Sequence, residues 1–364
     1  MIFEKNQNIT IATLGSHSAL DVCRGAKDEG FKTLVIAQRG REKTYDKYFK
    51  TNGNMGCVDE CIVLDKFADI LRDDIQNELK KRNAIFVPNR SFEVYINDYD
   101  AIEKKFSAPM FGNKKLLRIE ERGFKPNQYD LLDAAKIRYP LQFNNPEIID
   151  RLCIVKVYSG IERAFFVIMN YKEYKNKSET RLKNGEFTEE ELQKAVIEEF
   201  VIGVHVNFIF FYSPINNRLE LLGTDMRRQT NHEGIYKLDN DYREAIRERY
   251  VRIKYEEAGH VAVTVLESML EQAFELGERF VEASREFVSS GVVGPFALQS
   301  IIIPGSPKKD IVVIDVSPRM PGSPGISSTP YSSYLFGKPV SVGRRVAMEI
   351  KDAVNLNRLK EILT

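Results

Sequence analysis

Two apolar runs near the C-terminal end constrain the fold most: Val292 to Ile303 (VVGPFALQSIII) and Asp310 to Arg319 (DIVVIDVSPR), joined by Pro304-Gly305-Ser306-Pro307. Their lengths, β-branched bias and Pro/Gly punctuation predict neighbouring strands of a buried sheet, antiparallel across so short a link. A lone polar residue interrupts each run, Gln299 in the first and Asp315 in the second. Side chains alternate across a strand, so Val313, Asp315 and Ser317 share one face, and Gln299 can lie opposite Asp315. Polar groups at this depth need partners. A carboxylate with an amide oxygen suits a hard cation such as Mg²⁺, which is usually held by a few protein oxygens together with phosphates. The alternative is a buried aspartate capped by Arg319 or by backbone.

At 364 residues the chain is long enough for more than one hydrophobic core. Its net charge of +1 argues against a nucleic-acid-binding surface, which shows a strong basic excess. No run is long enough to span a bilayer. The start, MIFEKNQNITIATLG, lacks the features of a signal peptide and passes straight into a strand pattern, so the expected location is the cytoplasm. Cys57 and Cys61 (CVDEC) have no second Cys/His pair at ligand spacing and are read as reduced thiols. No histidine pair has the spacing of a zinc hydrolase and no nucleophile sits in a G-x-S-x-G frame. Metallohydrolase and triad chemistry are thereby excluded.

Ile9 to Leu14 predicts a strand, Gly15-Ser16-His17-Ser18 a polar turn, Ala19 to Glu29 a helix and Phe31 to Ala37 the next strand, together a βαβ unit. The turn puts a glycine and two hydroxyls at a helix N-terminus, which favours a phosphate or carboxylate unless Ser16 or Ser18 caps the helix. His17 is expected to be exposed on the ligand side of an open sheet. Asp65 to Arg82 predicts a helix and Ala84 to Val87 a strand, followed by the turn Pro88-Asn89-Arg90-Ser91, which aims Ser91 into the crevice of His17. Ser107 to Glu120 reads as a loop entering a basic helix, with a domain boundary soon after.

Cys153 to Val157, carrying Lys156, and Phe165 to Met169 predict a hairpin. Thr188 to Glu191 is a capping box. Val196 to Ile202 (VIEEFVI) and Val204 to Tyr212 are expected strands, and Leu219 to Thr224 extends the sheet toward Gln229. Arg243 to Lys254 reads as a solvated helix. Val263 to Val288 reads as one long amphipathic helix with Leu266, Met269, Leu270, Phe274, Phe280 and Phe287 inward.

A hairpin lysine, an acid-bearing strand, a long helix and two strands with an oxygen ligand each follow the order of ATP-grasp ligases. ITIATLGSHSALDVCRGAKDEGF, PMFGNKKLLRIE, VIEEFVIG, FYSPINNRLELLGTDMR, VVGPFALQS and PYSSYLFGKPVSVGRRVAMEI together resemble the archaeal PurP family, formate-dependent ligases of aminoimidazole carboxamide ribotide. The resemblance implies an ATP-grasp fold of mixed α/β and α+β class with an N-terminal open parallel α/β domain. It implies a ribotide domain at 1–122 and a two-lobed ATP-grasp region at 123–364, the small lobe at about 123–203 and the large at about 204–364.

Carried over residue by residue, it implies that His17 and Ser91 contact the ribotide and that His260 stands at the same site, where the family has an asparagine. Lys156, Glu198, Glu199, Phe200 and Val201 would hold ATP, with Gln229 where the family has a glutamate that contacts it. Gln299 and Asp315 match the metal positions for Mg²⁺ or Mn²⁺, and Lys156 and Arg319 are the catalytic expectations. The activity implied is activation of formate as formyl phosphate and formylation of the ribotide, in a homo-oligomer with no membrane or nucleic-acid partner. Three stretches depart from the family: the hairpin tip keeps only Gly160 of several glycines and carries Glu162, Pro88-Asn89-Arg90 replaces a histidine and glycine, and Pro321 to Gly325 replaces a Gly-Thr-Asn segment. These departures leave two rivals, a carboxylate–amine ligase for another acid or amine and a catalytically weak nucleotide-binding subunit.

Overall fold

The computed structural model describes residues 9–159, 162–229, 238–243, 257–305 and 308–364. They form two compact units, one of 1–137, 205–300 and 315–364 and a smaller one of 138–204 and 301–314. Strands β1 (Thr10–Leu14), β2 (Lys32–Gln38), β3 (Glu60–Leu64) and β4 (Ala84–Val87) lie in the order β3-β2-β1-β4. Every pair is parallel. β1 and β4 are buried along their whole length, as strands covered on both faces are, and the buried Thr13 hydroxyl in β1 is satisfied by the Val87 carbonyl (2.9 Å).

Helix Ala19–Asp28 covers this sheet and packs against Val342–Asn355 through two glycines. A Cβ on Gly25 would lie 2.1 Å from the Arg344 amide nitrogen, and one on Gly343 2.2 Å from the Asp21 carbonyl oxygen. Only a residue without a side chain lets the two backbones approach so closely.

The smaller unit holds β5 (Cys153–Ser159), β6 (Glu162–Ile168) and β7 (Val196–Glu199), in the order β6-β5-β7. Both pairings are antiparallel. Cys153, Val155 and Val157 enter a core with Phe166, Ile168, Phe187 and Ile197, so period-2 alternation sends Ile154 and Lys156 to the other face. The capping box at Thr188 is present, opening the short helix Glu189–Gln193.

A second sheet follows the order β10-β9-β8-β11-β12, with β8 at Val204–Ser213, β9 at Arg218–Gln229, β10 at Glu257–Val263, β11 at Gly294–Ile303 and β12 at Asp310–Ser317. The two C-terminal apolar runs are therefore neighbouring strands.

Several expectations need correction. The helix expected from Asp65 to Arg82 breaks into a tight turn, Phe67–Leu71, and a helix, Asp73–Lys81, because Arg72 takes an extended backbone (φ −67, ψ 142) between them. The long helix expected from Val263 starts at Leu270; Val263 finishes β10 and Leu266 is exposed. The β-branched Val263-Thr264-Val265 favour the strand. The buried stripe is Ala273, Leu276, Gly277, Phe280, Val281 and Ser284. The basic helix expected near 107–120 is a loop ending in one tight turn, Leu117–Glu120, whose Leu117, Ile119 and Glu120 are buried. The solvated helix expected from Arg243 falls, from residue 244 on, outside the described residues.

Candidate functional site

In a parallel sheet of order β3-β2-β1-β4 the connections leave β1 in opposite directions, so the crevice beyond the carboxyl ends of β1 and β4 is the topological switch point where open α/β sheets bind ligands. His17 follows β1 and Ser91 follows β4. Asn89 ties the two turns together, its buried amide donating to the carbonyls of Leu14 (3.0 Å) and Ser16 (3.2 Å) while its Oδ1 accepts from the Phe92 amide. His17 is exposed and sits in the left-handed backbone region at φ +52, a conformation that costs a non-glycine residue about 1 kcal/mol or more and that concentrates at functional sites. Ser91 is buried in helix Arg90–Ile96. Of the two serines offered as alternative caps, Ser18 makes no side-chain cap bond; its hydroxyl donates to the Pro321 carbonyl at 2.5 Å.

The segment after β12 crosses the same turns. Met320 bridges Asn89, and Gly322 lies against the His17 ring, where a Cβ would come 1.8 Å from Cε1. The departure at Pro321 to Gly325 thus has a local consequence: glycine at 322 is what lets the imidazole stand there.

On β11 and β12, Gln299 Nε2 donates to Asp315 Oδ2 (3.2 Å) and reaches Ser317 Oγ (3.4 Å), as alternation across neighbouring strands predicts. Asp315 Oδ1 pairs with Arg122 (3.0 Å), not with Arg319. Carboxylate, amide and hydroxyl oxygens form a hard donor set, and a turn of the Gln299 amide, whose two ends are alike in shape, would present its oxygen beside that of Asp315. Among the described residues no group of three or more His, Cys, Asp or Glu side chains forms a metal cage. The donor set fits a cation that keeps waters and phosphates as its other ligands, which is how Mg²⁺ is commonly held.

Arg319 turns the other way, into a buried charge cluster. Its Nε donates to Glu93 Oε2 (3.2 Å), Nη2 to Glu120 Oε1 (2.6 Å) and Nη1 to the Met320 carbonyl (3.1 Å). Arg90 bridges the same two carboxylates at 3.2 Å each and reaches Glu121 at 2.8 Å, which also accepts from the Tyr99 hydroxyl. Gln128, fully buried, donates to the Glu120 carbonyl (3.0 Å) and accepts from the Val316 amide (3.1 Å), tying this cluster to β12. Burial, reinforced by the Glu120 charge, pushes the Glu93 carboxyl up to about 8, and burial raises that of Glu120 against the pull of Arg319 and Arg90. The consecutive residues Glu120, Glu121 and Arg122 thus hold Arg319, Arg90 and Asp315 in turn. Sequence reasoning passed over Glu93, Arg90 and this triplet; the available signal was a charged triplet directly after the apolar Leu116-Leu117 and Ile119.

His260 lies on β10 opposite Arg227, its Nδ1 2.8 Å from Asp225 Oδ2, and the buried Asp225 also accepts from Asn207 (2.8 Å). The Gln229 side chain lies outside the described residues.

In the smaller unit, β5 and β7 pair Ile154 with Glu198 and Lys156 with Val196, so Lys156 and Glu198 are diagonal neighbours on one face. They form an ion pair with Glu198 buried and Lys156 partly covered. Glu199 faces the other way and accepts from the Leu141 amide (3.4 Å); Phe200 is exposed and donates its amide to the Leu152 carbonyl, and Val201 is half-buried. Residues 160 and 161 and the Glu162 side chain, the altered hairpin tip, lie outside the described residues.

Comparison with known proteins places this geometry. The chain resembles the crystal structure of an ADP complex of purK, an N5-carboxyaminoimidazole ribonucleotide synthetase, with a TM-score of 0.56 at 12% identity over 92% of this chain and 78% of that one. At that identity the likeness defines the fold, which is ATP-grasp. It also matches the crystal structure of an IMP biosynthesis protein PurP from Thermococcus kodakaraensis, with a TM-score of 0.72 at 29% identity over 97% of this chain and 100% of that one. A domain of unknown function (DUF1297) matches 173–364 and a protein of unknown function (DUF1246) matches 11–143. The 5-formaminoimidazole-4-carboxamide-1-(beta)-D-ribofuranosyl 5'-monophosphate synthetase of Methanothermobacter thermautotrophicus is 38% identical over 98% of this chain and 95% of its own length. The chain belongs to this family, the PurP synthetases.

Proposed function

We propose that this protein is an ATP-dependent carbon–nitrogen ligase that formylates 5-aminoimidazole-4-carboxamide ribotide at the expense of ATP and formate, in purine (IMP) biosynthesis. The observation that carries the reading is the meeting, within one compact unit, of the His17 and Asn89 turns with the Asp315 to Gly322 segment. A ribotide-binding crevice and a phosphate-handling strand end have to be adjacent for an amine to meet an activated acyl group. No helix among the described residues is long and apolar enough to cross a membrane, and the location proposed for such a ligase is the cytoplasm.

Formate oxygen attacks the γ-phosphorus, the bond to ADP breaks, and formyl phosphate forms. The 5-amino nitrogen then attacks the formyl carbon, phosphate leaves, and the nitrogen loses its proton. Gln299 and Asp315, with Ser317 beside them, would hold Mg²⁺, which when bound offsets charge on the phosphates. Arg319, always cationic, offers the fork that matches two oxygens of a carboxylate or phosphate and serves the anion that forms as formate becomes acyl phosphate. Lys156, held by Glu198, serves the ATP phosphates, and Glu199, Phe200, Val201 and Gln229 the rest of the nucleotide. His17, Ser91 and His260 serve the ribotide; Asp225 fixes the ring orientation of His260. On this reading 1–122 is the ribotide domain, and 123–203 and 204–364 are the lobes of the ATP-grasp region.

ADP release measured with all four combinations of formate and ribotide tests the reading. Release that requires formate and is completed only with the ribotide supports it. Release indifferent to formate would assign another acid.

A further inference from the structure

We propose that Glu93 and Glu120 are positioning residues for Arg319, clamping its guanidinium so that one N–H on each terminal nitrogen stays available to the reacting anion. The inference rests on the reading above, in which Arg319 meets that anion. Three of the five guanidinium N–H groups are used, by Glu93, Glu120 and the Met320 carbonyl. One unused N–H remains on each Nη atom, and a carboxylate or phosphate is the kind of group that accepts two such bonds. The clamp is itself anchored: Arg90 cross-links both carboxylates from the opposite side, and Gln128 fixes the Glu120 backbone to Val316.

The rotamer entropy of the arginine is lost here on folding, before any ligand arrives. Glu93 Oε1 and Glu120 Oε2 are both buried and accept no hydrogen bond among the described residues, so the cluster is left with surplus acceptors.

The charge count supports the same role. Facing the two carboxylates are Arg90 and Arg319, with Glu121 on the far side of Arg90, Tyr99 bonded to Glu121, and the Asp315 charge acting on Glu120. With one proton shared by Glu93 and Glu120 the group of Arg90, Arg319, Glu93, Glu120 and Glu121 is neutral, and ionisation of that proton leaves one negative charge beside the anion site.

A double-mutant cycle on the full chain tests the proposal, using Arg319→Lys and Glu120→Gln, which keep size and one bonding partner each. Each single variant is expected to lower kcat by about 10²-fold with the KM for ATP and ribotide nearly unchanged, and the double variant to be no slower than Arg319→Lys alone. Glu93→Gln, which mimics the protonated carboxyl, should lower kcat less than Glu120→Gln at neutral pH and flatten the fall in rate on the alkaline side. Losses that multiply in the double variant, or a Glu120→Gln protein that melts lower while keeping full kcat, would overturn the proposal. Full kcat in Arg319→Lys would instead remove the reading of Arg319 on which the proposal stands. Thermal unfolding of each variant separates misfolding from misplacement, and if Glu120→Gln does not fold, Glu93→Gln showing the parent's alkaline fall would decide against it.

Discussion

Among its described residues the larger unit contains two buried arginines, each held by a pair of glutamates, in different settings. Arg345 is bonded to both oxygens of Glu220 (2.6 and 3.1 Å) and to Glu349 (2.9 Å), and stacks 4.2 Å over Phe211. Ser213 and the Ile215 amide satisfy Glu349, and Arg218 adds two more bonds to Glu220. The orphan atom there is Nη1 of the arginine, a donor. Around Arg319 the orphans are carboxylate oxygens, and the cluster lies between the ligand-facing turns and the strand of Asp315. Identical residue types thus form two buried clusters that differ in place, one inside the core and one beside the turns of His17 and Asn89, where the proposed role of Arg319 would be exercised. Burial and pairing alone therefore do not mark function, and the two clusters have to be told apart by what their loss does.

The sharpest break between the two is in stability. Arg345→Met strands Glu220 and Glu349 in the core and should cost about 3–5 kcal/mol in urea unfolding. A loss under about 1 kcal/mol would mean the two clusters are equivalent surface-like pairs.

Next is Asp315→Asn, which removes the carboxylate charge between Arg122 and Gln299. It should lower kcat about 10²-fold or more and raise the Mg²⁺ concentration needed, with unfolding little changed. Parent turnover with unchanged Mg²⁺ dependence would remove the metal assignment.

What could be read in advance divides along the same line. The strands, the βαβ unit, the Lys156 hairpin and the facing of Gln299 with Asp315 follow from period, punctuation and alternation, which are local. The Arg319 cluster was not legible, because its bonds join residues 199 and 226 positions apart and charged residues in short helices read as solvated. The helix over-reading from Val263 has a local cause: apolar residues there fit either a strand end or a helix face, and pairing of β10 with β9 decided for the strand.

A smaller effect separates the ligand-facing turn from the nucleotide residues. His17→Ala should weaken ribotide binding about tenfold, or about 1.4 kcal/mol, and leave nucleotide binding nearly unchanged in calorimetry. Equal weakening of both would make the Gly15 to Ser18 turn a nucleotide site.

The mildest prediction concerns pH and the Glu93 carboxyl, raised to about 8 by burial. A carboxyl with a raised folded pKa contributes stability that is complete below its unfolded pKa and is lost as pH rises through the folded one. The parent should therefore lose stability relative to Glu93→Gln between about pH 5 and about pH 9. Parallel stability curves would show that Glu93 is ionised throughout.

In the proposed reaction formate is activated by direct transfer of the γ-phosphoryl group to its oxygen before the ribotide amine attacks. Running it with doubly ¹⁸O-labelled formate and measuring label in the released phosphate shows whether that transfer occurs. One formate oxygen is expected in each phosphate, with formamido ribotide and ADP formed in equal amounts. Unlabelled phosphate accompanying formamido ribotide would contradict it.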